Sequence, residues 1–497
     1  MNTVKQNLRK TCCCGTIYTV MSKKFFKKIA LMFPYFRHLD MKLDRMYKTI
    51  ERQEKELDIY RDNKCSRLPG YQKSEGAVSA HHIKNEKANI DSTLYVRAFQ
   101  KWEHICDKDY HMEGIPQVQT VDKGIILPLI EDKANPHLHV GGFGGVCDPT
   151  GAFVAGHKRG VEHSDTSGGY PVSGEPDYIP ETVVYAGLYL EHFGHYISEC
   201  LARLWWYVEN KGSKHKCVFI SHAPHINEKF YELLELLGIP ENRVILCKNP
   251  TRFDCVIVPE HAFIFGSGYT EKAKTIFNAL RDSVKPEKYE KIYLTKTKYP
   301  GTDVINEEFF EGYFLNHGYK VISPEFLPVK EQIALMAGAK EIVCVSGTLG
   351  HQLVFCPDNT NITILHKNEV VLIAQCWINQ LRKAKCTLID VSVNFLPSTL
   401  TGSSFLLMPT VYWRKYLLDR GASEAQVNDT AVDYKRYVYD YIKMWAQRML
   451  EYADTPEALG YAATFTIADI IIDINELLLN EELDEYQKKK LRDVFVK

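Results

Sequence analysis

Short apolar runs alternate with amphipathic segments through the middle of the chain. Predicted strands lie at 218–220, 244–246 and 255–258, and a predicted helix lies at 227–237. Strands that alternate with helices at this spacing are typical of α/β proteins with a parallel sheet. The pattern therefore predicts an α/β domain over residues 92–262, with a β-rich start that includes a glycine-rich hairpin at 140–155.

A second alternating segment follows. Its predicted helices lie at 270–284, 306–316 and 328–337, and its predicted strands at 291–295, 319–322, 341–345 and 361–365. Four strands separated by helices predict a Rossmann-like domain over residues 263–408. The predicted fold class is therefore α/β, with two Rossmann-like domains facing a cleft. Residues 409–497 are predicted to be a helical tail, with the clearest helical patterns at 432–450 and 467–495.

Residues 1–62 carry a different pattern. Apolar side chains recur at alternating spacings of three and four over residues 36–60, with Gln53 as one polar core position. This heptad pattern predicts a coiled-coil helix that forms a homodimer or higher homo-oligomer, and the alternative is an amphipathic helix docked on the same chain. The basic, aromatic run at 23–33 is either a peripheral membrane contact or a poorly ordered leader. Residues 63–91 are polar and predict a linker.

The composition of the 497-residue chain is that of a globular protein, with 45% hydrophobic and 25% charged residues. A net charge of −1 gives no support for nucleic-acid binding. Most of the 14 cysteines stand singly in apolar runs, as reduced thiols do, and no pair has the spacing of a zinc site. The sequence shows no signal peptide and no run near the roughly 20 apolar residues of a membrane span. We therefore expect a cytoplasmic protein, at most peripheral to a membrane surface.

The segment 189–206 is the strongest candidate for chemistry. On an α-helix, His195, Glu199 and Arg203 stack one turn apart on one face, and apolar residues occupy the other face. Gly194 lies where this helix begins, after an extended run. Because open α/β folds bind ligands where strands end and helices begin, the three polar side chains are predicted to face a binding site.

Two side chains of this segment are candidates for a general base, which must accept a proton near neutral pH and reach the acceptor hydroxyl. They are His195 and Glu199, and Asp177 in the preceding loop is a third candidate. The alternative for His195 is a structural histidine bonded to the backbone. The pattern leaves open which of the three takes the proton.

A candidate anion site follows the predicted strand 341–345. Ser346, Gly347 and Thr348 form a turn of small residues before a helix, and His351 lies within reach of it. Backbone N–H groups and the helix dipole at such a turn favour a bound phosphate. The alternative is an ordinary strand-to-helix turn that uses glycine for its geometry.

Charged residues follow two neighbouring strands of the same domain. Lys296 and Lys298 come after the strand that ends at Thr295, where they would neutralise a diphosphate. Glu325 follows the next strand, at a position where a carboxylate binds ribose hydroxyls in nucleotide-binding folds. The alternatives are solvated loop charges for the lysines and a helix N-terminal charge for Glu325.

Three blocks of sequence occur in order across about 180–370. They are His192-Phe193-Gly194-His195-Tyr196-Ile197-Ser198-Glu199 with Leu201 to Trp205; Asn306-Glu307-Glu308 with Gly318-Tyr319 and Ser323-Pro324-Glu325; and Ser346-Gly347-Thr348-Leu349 with Phe355. In order and spacing these blocks resemble glycosyltransferase family 61. The chain departs from the family at Ser346, where many members carry histidine, and at Lys296 and Lys298, where arginines are usual, which looks closer to bacterial-type members.

The resemblance implies an inverting hexosyltransferase or pentosyltransferase of the GT-B arrangement. Such an enzyme moves a sugar from a nucleotide-diphosphate sugar to a glycan or surface-polysaccharide hydroxyl by a single displacement, with no obligatory metal or other cofactor. Residues expected to bind donor or acceptor are His192, Gly194, Arg203, Lys296, Lys298, Glu325, Ser346, Gly347, Thr348 and His351. The rival hypotheses are an epimerase or phosphorylase on the same architecture and a non-catalytic scaffold with a degenerate transferase fold.

Overall fold

The computed structural model describes residues 79–428 except 88–89, 98, 131–141, 160–167, 369–371 and 395–403, and beyond 428 it describes only 436–438, 440, 441 and 444. The predicted leader and coiled coil at 1–62 lie outside the described residues, as does nearly all of the predicted helical tail beyond 428.

The described strands and helices alternate as the apolar pattern predicts. The strands are β1 (His81–Asn85), β2 (Ile90–Tyr95), β3 (Val118–Asp122), β4 (Ile125–Ile130), β5 (Phe143–Cys147), β6 (Phe153–Ala155), β7 (Asp177–Leu188), β8 (Lys216–Ile220), β9 (Val244–Cys247), β10 (Thr251–Pro259), β11 (Phe263–Ile264), β12 (Gly268–Tyr269), β13 (Lys291–Leu294), β14 (Val304–Ile305), β15 (Lys320–Ile322), β16 (Glu341–Val345), β17 (Asn361–His366), β18 (Lys385–Asp390) and β19 (Phe405–Leu406). The α-helices are α1 (Phe99–Cys106), α2 (Phe193–His195), α3 (Trp205–Glu209), α4 (Glu228–Leu236), α5 (Glu271–Asp282), α6 (Glu307–Asn316), α7 (Val329–Gly338), α8 (Thr348–His351), α9 (Ile373–Leu381), α10 (Val411–Asp419) and α11 (Glu424–Asn428). The predicted α/β class is confirmed.

The first sheet has the order β6-β5-β4-β10-β7-β8-β9, with β3 also paired to β10. Strands β10, β7, β8 and β9 run parallel, whereas β3, β4, β5 and β6 pair antiparallel. The predicted hairpin is present as β5 and β6. The β-rich start of this segment thus extends an otherwise parallel sheet on one side.

The second sheet has the order β1-β2-β18-β17-β16-β13-β15, and all its neighbours are parallel except β1 and β2. Among the strands after residue 290 the order is 2-1-3-4-5, so the chain reverses direction between β13 and β16. Ligands in open parallel sheets bind outside the carboxyl ends of the strands at such a switch point. The topology alone therefore directs attention to the turns that follow β13 and β16.

The second sheet begins earlier in the sequence than the pattern indicates. Strands β1 and β2 fall where the sequence predicts a linker, 63–91, and the start of the first domain at 92. Residues 92–95 pair in parallel with 386–389 of β18, a strand that the sequence pattern also missed. Leu94 is fully buried in this pairing. The described part of the chain therefore begins in the second sheet, then forms the first sheet, and finally completes the second.

Helix α5 packs between the two sheets. Its buried residues Ala273, Ile276, Phe277 and Leu280 form one stripe at helical spacing, and the helix contacts both α3 and α7. Side chains of both sheets belong to the same hydrophobic core. Of the described helices, none has the length and apolar character to cross a membrane.

Candidate active site

The segment predicted as one α-helix is irregular. A single α-turn at Phe193–His195 leads into a π-helical turn at Tyr196–Cys200, and a regular helix resumes only at Trp205. The N–H of Leu201 donates to the carbonyl of Tyr196, five residues earlier, at 3.3 Å. The wider turn moves later residues off the α-helical face, and such single π turns are frequent at functional sites.

The pair His195 and Glu199 keeps its predicted contact. Nδ1 of His195 lies 2.5 Å from Oε1 of Glu199. The His195 side chain is 26% exposed, whereas that of Glu199 is fully buried. Only the histidine can therefore meet a substrate directly. With Nδ1 bound to the carboxylate, Nε2 is the ring nitrogen left to accept a proton.

Two further side chains bind the Glu199 carboxylate. Arg159 approaches both oxygens, with Nη2 at 3.0 Å from Oε1 and Nε at 2.7 Å from Oε2, and His157 Nε2 lies 3.2 Å from Oε2. Burial alone would raise the pKa of Glu199, but the bonds from His157 and His195 and the charge of Arg159 hold this pKa far below its usual range. Glu199 is thus an ionised carboxylate and a poor proton acceptor, and its contact with Nδ1 holds the ring of His195 in place.

Arg159 and His157 are site residues that the sequence pattern does not reveal. Both follow β6, about 40 positions before Glu199, and no local spacing links them to it. The guanidinium of Arg159 also lies 5.1 Å from the ring centroid of Phe265, which fixes its plane. The one signal in the sequence was the polar run His157-Lys158-Arg159 directly after an apolar strand.

Arg203 does not join this group. Its guanidinium is buried, donates to the carbonyls of Pro259 and Gly156, and stacks 5.2 Å from the centroid of Tyr185. These bonds tie the end of β10 to the segment after β6. The contacts of Arg203 are therefore with backbone carbonyls and Tyr185, and its predicted contact with a substrate stays a prediction.

Asp177 lies at the opposite end of the first sheet. It is the first residue of β7, whose last residue leads toward His195, and it accepts a hydrogen bond from Asn249 at 3.2 Å. Twelve residues of strand at about 3.3 Å each separate the two ends by roughly 36 Å. Asp177 therefore takes no part in the candidate site.

The turn after β16 meets the start of the His195 segment. A Cβ built on Gly194 would lie 2.7 Å from Oγ1 of Thr348, so the absence of a side chain at Gly194 allows this approach. Gly347 has φ +129°, in the region that favours glycine. Ser346 Oγ accepts the N–H of Lys367 at 3.2 Å, which anchors the turn. Helix α8 after it has only four residues, so its dipole is weaker than the sequence suggests.

Three histidines and Lys296 gather at this junction. His192 and His195 have ring centroids 5.1 Å apart. Burial, together with the nearby His195, His192 and Lys296, lowers the pKa of His351 to about 3. Partial burial also lowers the pKa of His192, and the nearby His195 and Lys296 act in the same direction. His192 and His351 are therefore neutral hydrogen-bonding groups, and Lys296 carries the positive charge of this junction.

The lysines and Glu325 lie on the second-sheet side of the junction. Lys296 is half-buried and Lys298 exposed. Burial raises the pKa of Glu325, and Lys296, Lys229 and Lys298 are close enough to oppose that rise. Oε1 of Glu325 is buried and makes no hydrogen bond.

Both ring nitrogens of buried His351 also lack a hydrogen-bond partner. Among the described residues, no three His, Cys, Asp or Glu side chains are grouped so that they could hold a metal ion. The arrangement therefore offers an oriented base, a positive charge, a small-residue turn and unsatisfied polar groups at one junction.

The family model Glycosyltransferase 61 matches residues 193–363, from the residue before Gly194 to the middle of β17. Residues 193–363 belong to glycosyltransferase family 61. The resemblance drawn from the three blocks is thereby confirmed over this segment, which covers less than half of the 497 residues, and the match supports a glycosyltransferase. The match includes His195, Glu199, Lys296 and Thr348, and it leaves out the segment that carries Arg159. No curated protein matches the chain.

Proposed function

We propose that this protein is a family 61 glycosyltransferase that transfers a hexose or pentose from a nucleotide-diphosphate sugar to a hydroxyl of a glycan or surface polysaccharide, with inversion. The observation that carries the proposal is the His195–Glu199 pair, fixed by Arg159 and His157 and adjacent to the turns after β13 and β16. The two sheets would form the two halves of a GT-B arrangement, with the acceptor on the His195 side and the donor on the Lys296 side.

The reaction is one displacement at the anomeric carbon. The acceptor oxygen forms a bond to that carbon as the bond from the carbon to the diphosphate oxygen breaks. The acceptor proton passes to Nε2 of His195, and Glu199 stabilises the imidazolium through Nδ1–H. The bonding electrons leave with the diphosphate, so a positive group must lie beside it in the transition state.

Residues of the second sheet supply that stabilisation. Lys296 contributes a charge, and the turn Ser346-Gly347-Thr348 contributes backbone N–H groups and hydroxyls. Glu325 accepts from the ribose hydroxyls of the donor, and neutral His192 and His351 donate to its sugar or phosphate oxygens. Lysine charge and backbone donors make a metal unnecessary in this scheme. Lys298 adds an exposed charge at the entrance.

The donor is identified by a thermal-shift screen against a panel of nucleotide sugars, since a ligand at 100 times its Kd stabilises the fold by about 2.7 kcal/mol. Transfer is then followed with the donor that binds, and the anomeric configuration of the product is read by NMR. His195→Ala should lower kcat by about 10²–10⁴ with donor binding retained. Asp177→Asn, which lies outside the site, is the matched control.

Three outcomes would contradict parts of the proposal. An active His195→Ala variant would rule out His195 as the general base. A product that retains the anomeric configuration of the donor would rule out the inverting mechanism. The absence of a change in melting temperature with any nucleotide sugar would favour the scaffold hypothesis. The proposed dimer through residues 36–60 and the peripheral membrane contact of a cytoplasmic enzyme are tested separately, by the solution mass and vesicle binding of a variant that lacks residues 1–62.

A further inference from the structure

Glu307, the first residue of α6, lies in contact with the backbone of Lys296. Both carboxyl oxygens accept the backbone N–H of Lys296, at 3.2 and 3.3 Å, and the hydroxyl of Tyr293 lies 3.5 Å from Oε1. The residue is 1% exposed. The preceding Asn306 adopts a left-handed conformation, φ +66°, and its Nδ2 donates to the carbonyl of Leu407 at 2.9 Å. The start of α6 is thus held so that the Glu307 carboxyl group stays in contact with the backbone of the turn that carries Lys296.

The charges around this carboxyl group come from every element packed on it. Lys296 follows β13, Lys367 follows β17, Glu311 lies on the next turn of α6, and the thiol of Cys344 belongs to β16. Lys367 is already paired with Asp303, Nζ to Oδ2 2.7 Å. Lys296 and Glu311 remain as opposite charges beside Glu307, so protonation of Glu307 makes the net charge of this group more positive by one.

We propose that Glu307 is a positioning residue for Lys296 that takes up a proton when the diphosphate of the donor binds, so that donor binding is tighter at lower pH. The inference rests on the proposed function, since it requires a diphosphate at the Lys296 turn. The two negative charges of a nucleotide sugar at this turn repel an ionised Glu307 and therefore favour its protonated form. By linkage, a ligand that favours the protonated form binds with proton uptake.

The direction of the pH effect follows from the free enzyme. Burial raises the pKa of Glu307 to about 7, opposed by the bond from the Lys296 N–H. A bound diphosphate raises this pKa further. Donor binding is then strongest below pH 7. It weakens as the pH rises, first through the pKa of Glu307 in the free enzyme and then through its higher pKa in the bound enzyme. A pKa of Glu307 that is about one pH unit higher in the bound enzyme corresponds to a tenfold change in Kd at high pH, so we expect Kd to rise about sevenfold between pH 6 and pH 8.5.

Calorimetry of the full chain tests this with the nucleotide sugar found in the thermal-shift screen and no acceptor. Its phosphates do not titrate in this range, because each is esterified on both sides. Titrations at pH 7.5 in two buffers of different ionisation enthalpy count the protons taken up. The wild type should take up more protons than Glu307→Gln, whose amide still accepts from the Lys296 N–H, and Kd of the variant should be nearly independent of pH. Glu308→Gln, which neutralises an exposed carboxylate on the same helix, is the matched control and should keep the wild-type slope.

Equal proton uptake in the wild type and Glu307→Gln would overturn the inference and leave the proposed function intact. Failure of every nucleotide sugar to bind would overturn both. If Glu307→Gln does not fold, the infrared difference spectrum of the wild type decides. Donor binding at pH 7.5 should produce the carbonyl stretch of a newly protonated carboxylic acid, and its absence would overturn the inference.

Discussion

Glu199→Gln is the most informative substitution in the candidate site. The amide has nearly the same shape as the carboxylate, so the variant removes a charge without leaving a cavity. Arg159 then loses its counter-charge at 2.7 Å in a site where its own side chain is only 12% exposed. Removing one partner of a buried pair costs about 3–5 kcal/mol, and the residual exposure of Arg159 favours the lower end.

The same change should affect turnover by a separate route. A glutamine NH₂ that faces His195 forces Nδ1 to accept, which places the ring proton on Nε2, where a base must be free. We therefore expect kcat to fall by about 10²–10⁴. The loss of stability and the loss of turnover have different physical causes, so a second substitution can separate them.

Glu199→Gln combined with Arg159→Met makes that separation. Removing the unpaired guanidinium should recover most of the free energy of unfolding, measured by urea denaturation, while kcat stays low because His195 still lacks its carboxylate. The pH dependence of stability provides a check, because the pKa of Glu199 is lower in the folded than in the unfolded state. The contribution of Glu199 to the free energy of unfolding is therefore complete above about pH 4.3 and is lost as the pH falls further. A folded Glu199→Gln enzyme with kcat within threefold of wild type would refute the orienting role.

Three other substitutions test the geometry. Gly194→Ala places a methyl group 2.7 Å from Thr348 Oγ1 and should cost about 1–3 kcal/mol and raise the donor KM, and an unchanged KM would mean that this contact does not shape the site. Arg203→Met should lower the free energy of unfolding by roughly 2–4 kcal/mol with kcat/KM of the folded enzyme nearly unchanged, and a large rise in donor KM at full stability would restore its predicted substrate contact. Lys296→Ala should weaken donor binding in calorimetry far more than the exposed control Lys298→Ala, and equal effects would show that Lys296 has no special position.

The sequence predicts those parts of the site that depend on local spacing. His195 and Glu199 are four residues apart, and one turn of either an α- or a π-helix keeps them in contact. Arg203 lies one turn further on, after the extra residue of the π turn, so it no longer lies on the helix face that an α-helix would give it. No apolar pattern marks a π turn, because its residues are buried on all sides. A regular period was therefore the wrong basis for placing Arg203.

Other parts of the molecule depend on contacts between distant segments. The partners of Glu199 arrive from the segment after β6, and β2 pairs with a strand near the other end of the described chain. Single-sequence patterns report which face of a segment is buried, but they do not report which segment buries it. The switch point between β13 and β16 likewise becomes visible only when the strand order is known.

The pairing of β2 with β18 has a consequence for synthesis on the ribosome. The partner of Ser92 is Cys386, so β1 and β2 leave the ribosome about 290 residues before the strand that completes them. At roughly 5–20 residues per second this interval lasts about 15–60 s. The first sheet can form during that time, whereas the hairpin keeps an unpaired parallel edge that is open to other chains. Fragments cut at residue 92 or 263 would have the same exposed edge, so we expect the two halves to fold reliably only as one continuous polypeptide.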